Sequence, residues 1–308
     1  MSERPEPRVS GRSQPRFRSR ERRDELSAAF RGQGADYDRL RPGYPDAVVD
    51  AIVGAADHRP DLDRRVLAVD LGAGTGKLSL ALAALGVDVV AVDPSEQMLA
   101  VAADAARAHG TSDTSARTDP PTAPGPSAPS CPRAATSLSS SEPGILRTVV
   151  GTAETTGLPG GCADLVTSAQ AWHWFDTDAA SAEAARLLRS GGVLALLWNT
   201  MDVQVPWVHR FSRIMHAGDV QRDDFSPPIA GGFELERRVV HRWEDPMLTT
   251  DLVDLARTRS YVITASDAVR AKVLANLDWY VHDHLGHARG STVGLPYRTD
   301  LFLYRADS

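Results

Sequence analysis

The hydrophobic pattern between residues 45 and 110 alternates between short apolar runs and longer runs with helical spacing. The short runs, RVLAVDLG and VDVVAVD, are typical of strands buried on both faces. The longer runs are PDAVVDAIVGA, TGKLSLALAALG and SEQMLAVAADAARAHG, and the last has Ser95 as its expected N-cap. Strand, helix, strand and helix at this spacing predict a parallel sheet with right-handed crossovers.

The pattern stops in two places. Residues 1–24 form a polar, Arg-rich stretch, and residues 111–144 are rich in Ser, Thr, Pro, Ala and Gly without any apolar period. Such compositions cannot bury enough apolar surface to fold. We therefore expect a disordered tail at 1–24, a domain at 25–308, and a disordered insertion at 111–144 between the second helix and the third strand.

The pattern resumes after the insertion. ILRTVVG, ADLVTSAQ and VLALLWN predict the third, fourth and fifth strands, and DTDAASAEAARLLRSGG predicts a helix closed by Gly191 and Gly192. Residues from about 200 to 232 contain the helical run VPWVHRFSRIMHAG and are expected to form a lid. FELERRVVHRWE predicts an exposed edge strand, two helical runs follow at 250–260 and 267–284, and RTDLFLYRA predicts the last strand.

Composition narrows the class of protein. The 308-residue chain has a formal net charge of −6, which argues against a protein that coats nucleic acid. No apolar run is long enough to span a bilayer. Cys131 and Cys162 are the only cysteines, so no disulfide framework is expected. We expect the protein to be cytoplasmic. No membrane association is expected, nucleic acid is not the expected partner, and the chain is expected to be a monomer or homodimer.

The glycine turn VDLGAGTGKLS follows the first strand and raises the question of its ligand. A triphosphate-binding loop is excluded, because Leu71 stands at its first glycine and Leu78 at its magnesium-binding hydroxyl. A dinucleotide fingerprint lacks its third glycine, which would fall on Lys77 or Ser79. A nicotinamide-dependent oxidoreductase is thereby weakened and stays an alternative.

The spacing that fits is Asp-x-Gly-x-Gly-x-Gly, from Asp70 to Gly76. Glycines let the backbone approach a ligand closely, and the next helix offers free N–H groups to a carboxylate. Asp70 can face an ammonium group, so a zwitterionic amino-acid end is matched at both poles. Asp93 ends the next strand, where a carboxylate can accept hydrogen bonds from both ribose hydroxyls.

These motifs resemble a known family. VLAVDLGAGTGKLSLAL, VVAVDPSEQML, GTAETTGLP, ADLVTSAQAWHWFD and LLRSGGVLALLW occur in the order of the motifs of class I S-adenosylmethionine-dependent methyltransferases. RSYV and LPYRTDLFLYRA also resemble the small-molecule branch that includes trans-aconitate methyltransferase-like proteins. The resemblance implies an α/β, Rossmann-like sheet of seven mostly parallel strands, with the last antiparallel and helices on both faces. It also implies S-adenosyl-L-methionine as cofactor. No metal is expected.

The resemblance assigns contacts position by position. The methionine end would meet the glycine turn and the end of the fourth strand, while the ribose and adenine would meet the end of the second strand and the GTAE element. Tyr37 would reach the methionine carboxylate. Together the implied cofactor residues are Asp70, Gly72, Ala73, Gly74, Asp93, Pro94, Met98, Ala153, Glu154, Ala169, Gln170 and Tyr37.

The acceptor is expected beyond the carboxyl ends of the strands. There His173 is a candidate base, although it and the neighbouring tryptophans can equally pack under the adjacent helix. The candidate substrate contacts are Arg41, Tyr44, Trp172, Trp174 and Trp207. A small-molecule carboxylate needs no base and a hydroxyl does, so both stay open. A cofactor-binding regulator without catalysis is a further alternative.

Overall fold

The computed structural model describes residues 38–56, 64–111, 142–218 and 223–307. The predicted tail at 1–24 and most of the predicted insertion lie outside these residues. The described strands form one seven-stranded sheet in the order β3-β2-β1-β4-β5-β7-β6. The strands are β1 (Leu67–Leu71), β2 (Asp88–Asp93), β3 (Leu146–Val150), β4 (Ala163–Ala169), β5 (Leu188–Met201), β6 (Phe233–Leu248) and β7 (Thr292–Ala306).

The pairing follows the predicted pattern. The strands β3, β2, β1, β4 and β5 pair in parallel, whereas β7 is antiparallel to both β5 and β6. Because the predicted last strand is the antiparallel one, the expected Rossmann-like fold class is confirmed. β6 lies at the edge of the sheet, as its alternating sequence predicts.

Helices cover both faces of the sheet. The helices α1 (Asp46–Ala56) and α2 (Lys77–Ala84) pack on the face that carries Ala68, Val89 and Leu165. α4 (Thr177–Leu187) packs on the opposite face, against residues such as Val69 and Val166. α3 (Glu96–Ala108) packs beside β2 and β3, and Ser95 caps it by accepting a hydrogen bond from the Met98 amide, as predicted. Because helices cover both faces of the sheet, the central strands are apolar throughout.

A third hydrophobic core lies where β5 and β6 end and β7 begins. α5 (Pro206–Ile214), α6 (Thr249–Asp254), α7 (Ser260–Ile263) and α8 (Asp267–Trp279) form this helical layer, together with turns at Leu255–Thr258 and Tyr280–His284. Its buried residues pack on the ends of β5, β6 and β7 at Met201, Met247 and Leu295. Most of the layer therefore comes from residues 249–284, and the predicted lid segment contributes α5.

Two predicted helical runs differ from the structure. The helix at 177 ends at Leu187, and β5 already begins at Leu188, because Leu188 pairs with Ala163. Gly191 and Gly192 lie inside β5, beside an irregularity in its pairing, and do not close the helix. The helical run at 250–260 is broken into α6, a 3₁₀ turn and α7.

Among the described residues, no helix combines the length and the apolar character that crossing a bilayer requires.

Candidate functional site

The glycine turn joins β1 to α2 and folds towards the end of β2. The amides of Gly72 and Ala73 donate to the Val92 carbonyl at 2.8 and 3.1 Å. Gly72 and Gly74 have φ values of 68° and 57°, in the left-handed region that favours glycine. A Cβ on Gly72 would lie 2.6 Å from the Ala171 Cβ, whereas a Cβ on Gly74 would meet no atom within 4 Å. The turn is therefore tightly packed behind Gly72 and open at Gly74.

Asp70 lies at the base of this turn and is almost fully buried. Its carboxylate accepts hydrogen bonds from the Ser79 hydroxyl at 2.6 Å and from the Thr167 hydroxyl at 2.7 Å. Burial raises the pKa of Asp70 to about 6; the two hydroxyls lower it and the charge of Asp93 raises it further. A cation beside Asp70 would relieve this cost of burying a charge.

Asp93 ends β2 on the other side of the turn. One of its oxygens accepts from the Gly74 amide at 3.0 Å and the other from the Ser95 amide at 2.8 Å. These two bonds fix the plane of the carboxylate. Asp93 thus holds its carboxylate in a fixed orientation at the edge of the turn, which suits adjacent ribose hydroxyls.

Both acids line one cavity of about 240 Å³ at the carboxyl ends of the parallel strands. Twelve of the predicted site residues line it: Arg41, Tyr44, Asp70, Gly72, Ala73, Gly74, Asp93, Pro94, Met98, Ala169, Gln170 and Trp174. The glycine turn, the end of β2, the end of β4 and the segment before α1 are therefore brought together as the sequence predicts.

Five predicted residues lie elsewhere. Ala153 and Glu154 do not line the cavity, and Glu154 instead accepts from the Asp176 amide at 2.9 Å. Trp172, a candidate substrate contact, is fully buried, and its indole N–H donates to the Pro228 carbonyl. His173 is next to a lining residue without being one, and its ring lies 5.3 Å from that of Trp174.

Trp207 is the fifth, on α5, with its ring 6.1 Å from that of Phe211 and its carbonyl accepting from the Tyr280 hydroxyl. Tyr37 lies outside the described residues. Arg41 lines the cavity, but its Nη2 donates to the Thr258 carbonyl at 2.9 Å. This bond ties the segment before α1 to the helical layer, so Arg41 has a structural contact as well as a position in the wall.

The sequence interpretation missed several lining residues. Asn199 lies in β5 at the same edge of the sheet as Asp93 and Gln170, so the strand-end rule could have found it. Tyr297 comes from the start of β7, and only the pairing of β7 with β5 brings it to the cavity. Lys77 begins α2 and pairs with Asp38, with a distance of 3.3 Å between Nζ and the carboxylate. In the part of the chain described, no group of three His, Cys, Asp or Glu side chains could hold a metal ion.

Comparison with known proteins identifies the family. Two models of a methyltransferase domain match residues 68–124 and 122–196. An uncharacterised methyltransferase of Mycobacterium tuberculosis is 35% identical over 278 residues, which is 90% of this chain and 95% of that protein. The chain belongs to the class I S-adenosylmethionine-dependent methyltransferases.

Other matches of this methyltransferase agree with that assignment. An uncharacterised methyltransferase-like protein of Schizosaccharomyces pombe is 26% identical over 260 residues, covering 81% of this chain and 84% of that protein. A solved structure of a candidate type II methyltransferase from Anaeromyxobacter dehalogenans has a TM-score of 0.52 at 23% identity, covering 87% of this chain and 97% of that one. This second likeness concerns the fold. Family membership decides against the nicotinamide-dependent oxidoreductase.

The cavity of the methyltransferase fits the cofactor of its class. S-adenosylmethionine carries an ammonium group, a carboxylate and a ribose with two hydroxyls. Asp70 is a buried acid that gains from a cation, Gly74 leaves open space at the turn, and Asp93 is a carboxylate held in a fixed orientation. The chemistry of these groups therefore matches both ends of the ligand.

Proposed function

We propose that this chain transfers the methyl group of S-adenosylmethionine to a small-molecule acceptor through a carboxylate or hydroxyl oxygen. The observation that carries the proposal is the pair of acids, Asp70 and Asp93, on either side of one open glycine turn at one cavity. The resemblance to trans-aconitate methyltransferase-like proteins supports a small acceptor.

The cofactor would lie along the edge of the sheet. Asp70 would hold the ammonium group, the amides at the start of α2 the carboxylate, and Asp93 the ribose. Pro94 and Met98, which follow β2 in the cavity wall, would contact the adenine. Ala169 and Gln170 would lie beside the sulfonium, at the end of β4. Contacts from Tyr37, Ala153 and Glu154 stay predictions.

Bound S-adenosylmethionine supplies an electrophilic methyl group on a sulfonium centre. The chain contributes orientation and exclusion of water, and well-oriented groups reach effective molarities on the order of 10⁵ M or more. Tyr44, Trp174 and Phe175 provide aromatic wall around the acceptor side. A carboxylate acceptor needs no proton transfer, and for a hydroxyl acceptor a role of His173 as base stays a prediction.

Calorimetry and product analysis test this proposal together. We expect the purified chain to bind S-adenosylhomocysteine and not NAD, and to transfer labelled methyl from S-adenosylmethionine to members of a panel of carboxylic acids, alcohols and phenols. Absence of binding would contradict the cofactor assignment. Binding without any labelled product would favour the non-catalytic regulator.

Replacement of Asp93 tests the ribose contact. Asp93→Ala should weaken binding of S-adenosylhomocysteine by about 1–3 kcal/mol, because both ribose hydroxyls lose their acceptors. Asp104→Ala on α3 is the matched control, since Asp104 is an exposed acid that pairs with Arg107. Calorimetry on both variants, with their melting temperatures, checks the prediction. Equal affinity of the two variants would remove Asp93 from the site.

A further inference from the structure

Gln170 has a strained backbone at the cavity. Among the described residues, Gln170 and His216 are the only non-glycines with positive φ, at 59° and 51°. Gln170 directly follows β4, and its amide donates to the Leu197 carbonyl at 2.9 Å. A glycine would adopt this conformation without strain, so the glutamine side chain is expected to contribute something that offsets it.

The orientation of the Gln170 amide is determined by its neighbour. Its Nε2 lies 2.7 Å from the Asn199 backbone carbonyl, which can only accept a hydrogen bond. The nitrogen must therefore face Asn199, and Oε1 is the remaining polar atom of a side chain that lines the cavity. No donor to Oε1 is present among the described residues.

Asn199 is itself held rigidly. Its Nδ2 donates to the Gly43 carbonyl at 2.8 Å, and its Oδ1 accepts from the Thr299 hydroxyl at 2.6 Å. These bonds connect β5 to β7 and to the segment before α1. The Gln170 oxygen is consequently a fixed acceptor, not a mobile side chain that can turn its amide nitrogen to the cavity.

Two cations line the cavity wall. Lys77 pairs with Asp38, whereas Arg41 donates to the neutral Thr258 carbonyl, which does not offset its charge. Arg41 and Gln170 would therefore favour different nucleophiles. The oxygens of a carboxylate nucleophile and the Gln170 oxygen are all acceptors, so no hydrogen bond can form between them. A hydroxyl nucleophile brings its own proton to that oxygen and forms a hydrogen bond.

We propose that Gln170 determines the acceptor class: its fixed Oε1 accepts a hydrogen bond from the O–H of a hydroxyl nucleophile, which selects a hydroxyl over a carboxylate. This inference rests on the proposed function. A lone pair of the hydroxyl oxygen forms the new O–C bond while the C–S bond breaks and leaves its electron pair on sulfur. The hydroxyl proton is released to bulk solvent after the transfer, because an amide oxygen is too weak a base to keep it.

The first experiment separates the two product classes. The wild-type chain is given S-adenosylmethionine with a labelled methyl group, together with paired phenols and benzoic acids and paired aliphatic alcohols and acids. Mild base releases labelled methanol from methyl esters and leaves methyl ethers intact. We expect the label in the base-stable fraction. A predominantly base-labile label overturns the inference and leaves the proposed function standing.

The second experiment removes the acceptor atom. Gln170→Met keeps the length of the side chain without its hydrogen bonds, and Gln170→Gly also relieves the strain. Both should lower kcat/KM for the hydroxyl acceptor by about tenfold or more. Because Gln170 is also proposed to lie beside the sulfonium, the affinity for S-adenosylhomocysteine is measured for both variants, and its change should be much smaller than the loss of kcat/KM. Gln170→Gly should melt at or above the wild-type temperature.

The outcomes distinguish failure of the Gln170 assignment from failure of the proposed function. Full activity of Gln170→Met, or activity lost only together with cofactor binding or stability, overturns the assignment of Gln170. Intact binding of S-adenosylhomocysteine by the wild type, with no labelled product in either fraction, overturns the proposed function and this inference with it.

Discussion

Asp70 should respond to pH in the opposite sense to most acids. Burial is the main reason that its pKa is raised from 3.8 to about 6 in the folded chain. Folding of the ligand-free protein at a pH between these two values is therefore accompanied by uptake of a proton. The stability linked to that proton is fully present below pH 3.8 and is lost as pH rises through 6. Asp70→Asn, which imitates the neutral acid, should exceed the wild type in stability by up to about 3 kcal/mol at pH 7.5. Denaturant unfolding should show this difference shrinking towards pH 4; a difference independent of pH would contradict the buried ionisation.

Substitutions of two glycines in the same turn should have different effects, one on stability and the other on ligand binding. Gly72→Ala places a Cβ 2.6 Å from the Ala171 Cβ, so it should destabilise the fold by about 2–4 kcal/mol through strain and overpacking. Gly74→Ala meets no neighbour and should cost only about 1 kcal/mol for its left-handed φ, but its methyl group enters the space proposed for the ligand. Thermal melting should therefore single out Gly72→Ala. Calorimetry with S-adenosylhomocysteine should show lost affinity for Gly74→Ala, and wild-type affinity there would place the ligand elsewhere.

At the scale of elements, the hydrophobic pattern correctly predicted the short units whose structure depends on neighbouring residues in the sequence. β1, β2 and the helices after them are short units whose periodicity and glycine turns are visible in the sequence, and these units carry Asp70 and Asp93. The lengths of β5 and β7 depend on each other, since Met201 pairs with Tyr297 across strands nearly 100 residues apart. That pairing brings Tyr297 to the cavity, and no short-range pattern records it. The indole N–H of Trp172 likewise has a partner distant in sequence, the Pro228 carbonyl.

The loop between β3 and β4 is fastened to α4 by Glu183. This carboxylate accepts from the Thr156 amide and hydroxyl and from Arg186. Burial opposes its ionisation, but the hydrogen bonds from Arg186 and Thr156 outweigh burial and lower its pKa to about 2. The folded pKa is depressed, so this stability is present above pH 4.5 and is lost as pH falls towards 2.

Glu183→Gln should therefore reduce the free energy of unfolding by about 1–3 kcal/mol at pH 7, with a smaller loss at pH 3. Asp254→Asn is the matched control, because Asp254 forms an i,i+3 pair with Arg257 that is exposed. An exposed pair contributes roughly 0–1 kcal/mol. Chemical denaturation of both variants at the two pH values makes the comparison. Equal losses would mean that the Glu183 cluster does not fasten the loop.

At the scale of the whole molecule, the cavity lies where separate parts of the fold meet. The sheet supplies its floor through β1, β2, β4 and β5, whereas Arg41 and Tyr297 connect its wall to the helical layer. The parallel strands position the residues that are proposed to bind the cofactor. The helical layer comes mainly from residues 249–284, outside the matched domain models, and is therefore the part expected to adapt the fold to a particular acceptor.

Most of the predicted insertion at 111–144 should be removable without loss of the fold if the residues at its two ends are kept. Thr111 and Gly144 are bonded to the folded domain: the Thr111 carbonyl accepts from the Leu146 amide at 2.7 Å, and the Gly144 amide donates to the Ala83 carbonyl at 2.7 Å. A Cβ at Gly144 would also collide with the Val87 carbonyl, so this glycine is required by a close backbone approach. A deletion of all residues from 111 to 144 would remove these contacts and is expected to destabilise β3.

Replacement of residues 113–140 by a six-residue Gly-Ser linker keeps both ends. Because the ends already meet, a shorter loop loses less entropy on closure, and the free energy of unfolding should rise by about 1 kcal/mol. Binding of S-adenosylhomocysteine should be unchanged, since the described residues that line the cavity lie outside the exchanged stretch. Melting temperature and calorimetry of the linker variant, beside the full 111–144 deletion, check both expectations. Loss of the folded state in the linker variant would mean that the exchanged residues contribute to the core, and loss of binding alone would give them a part in the site.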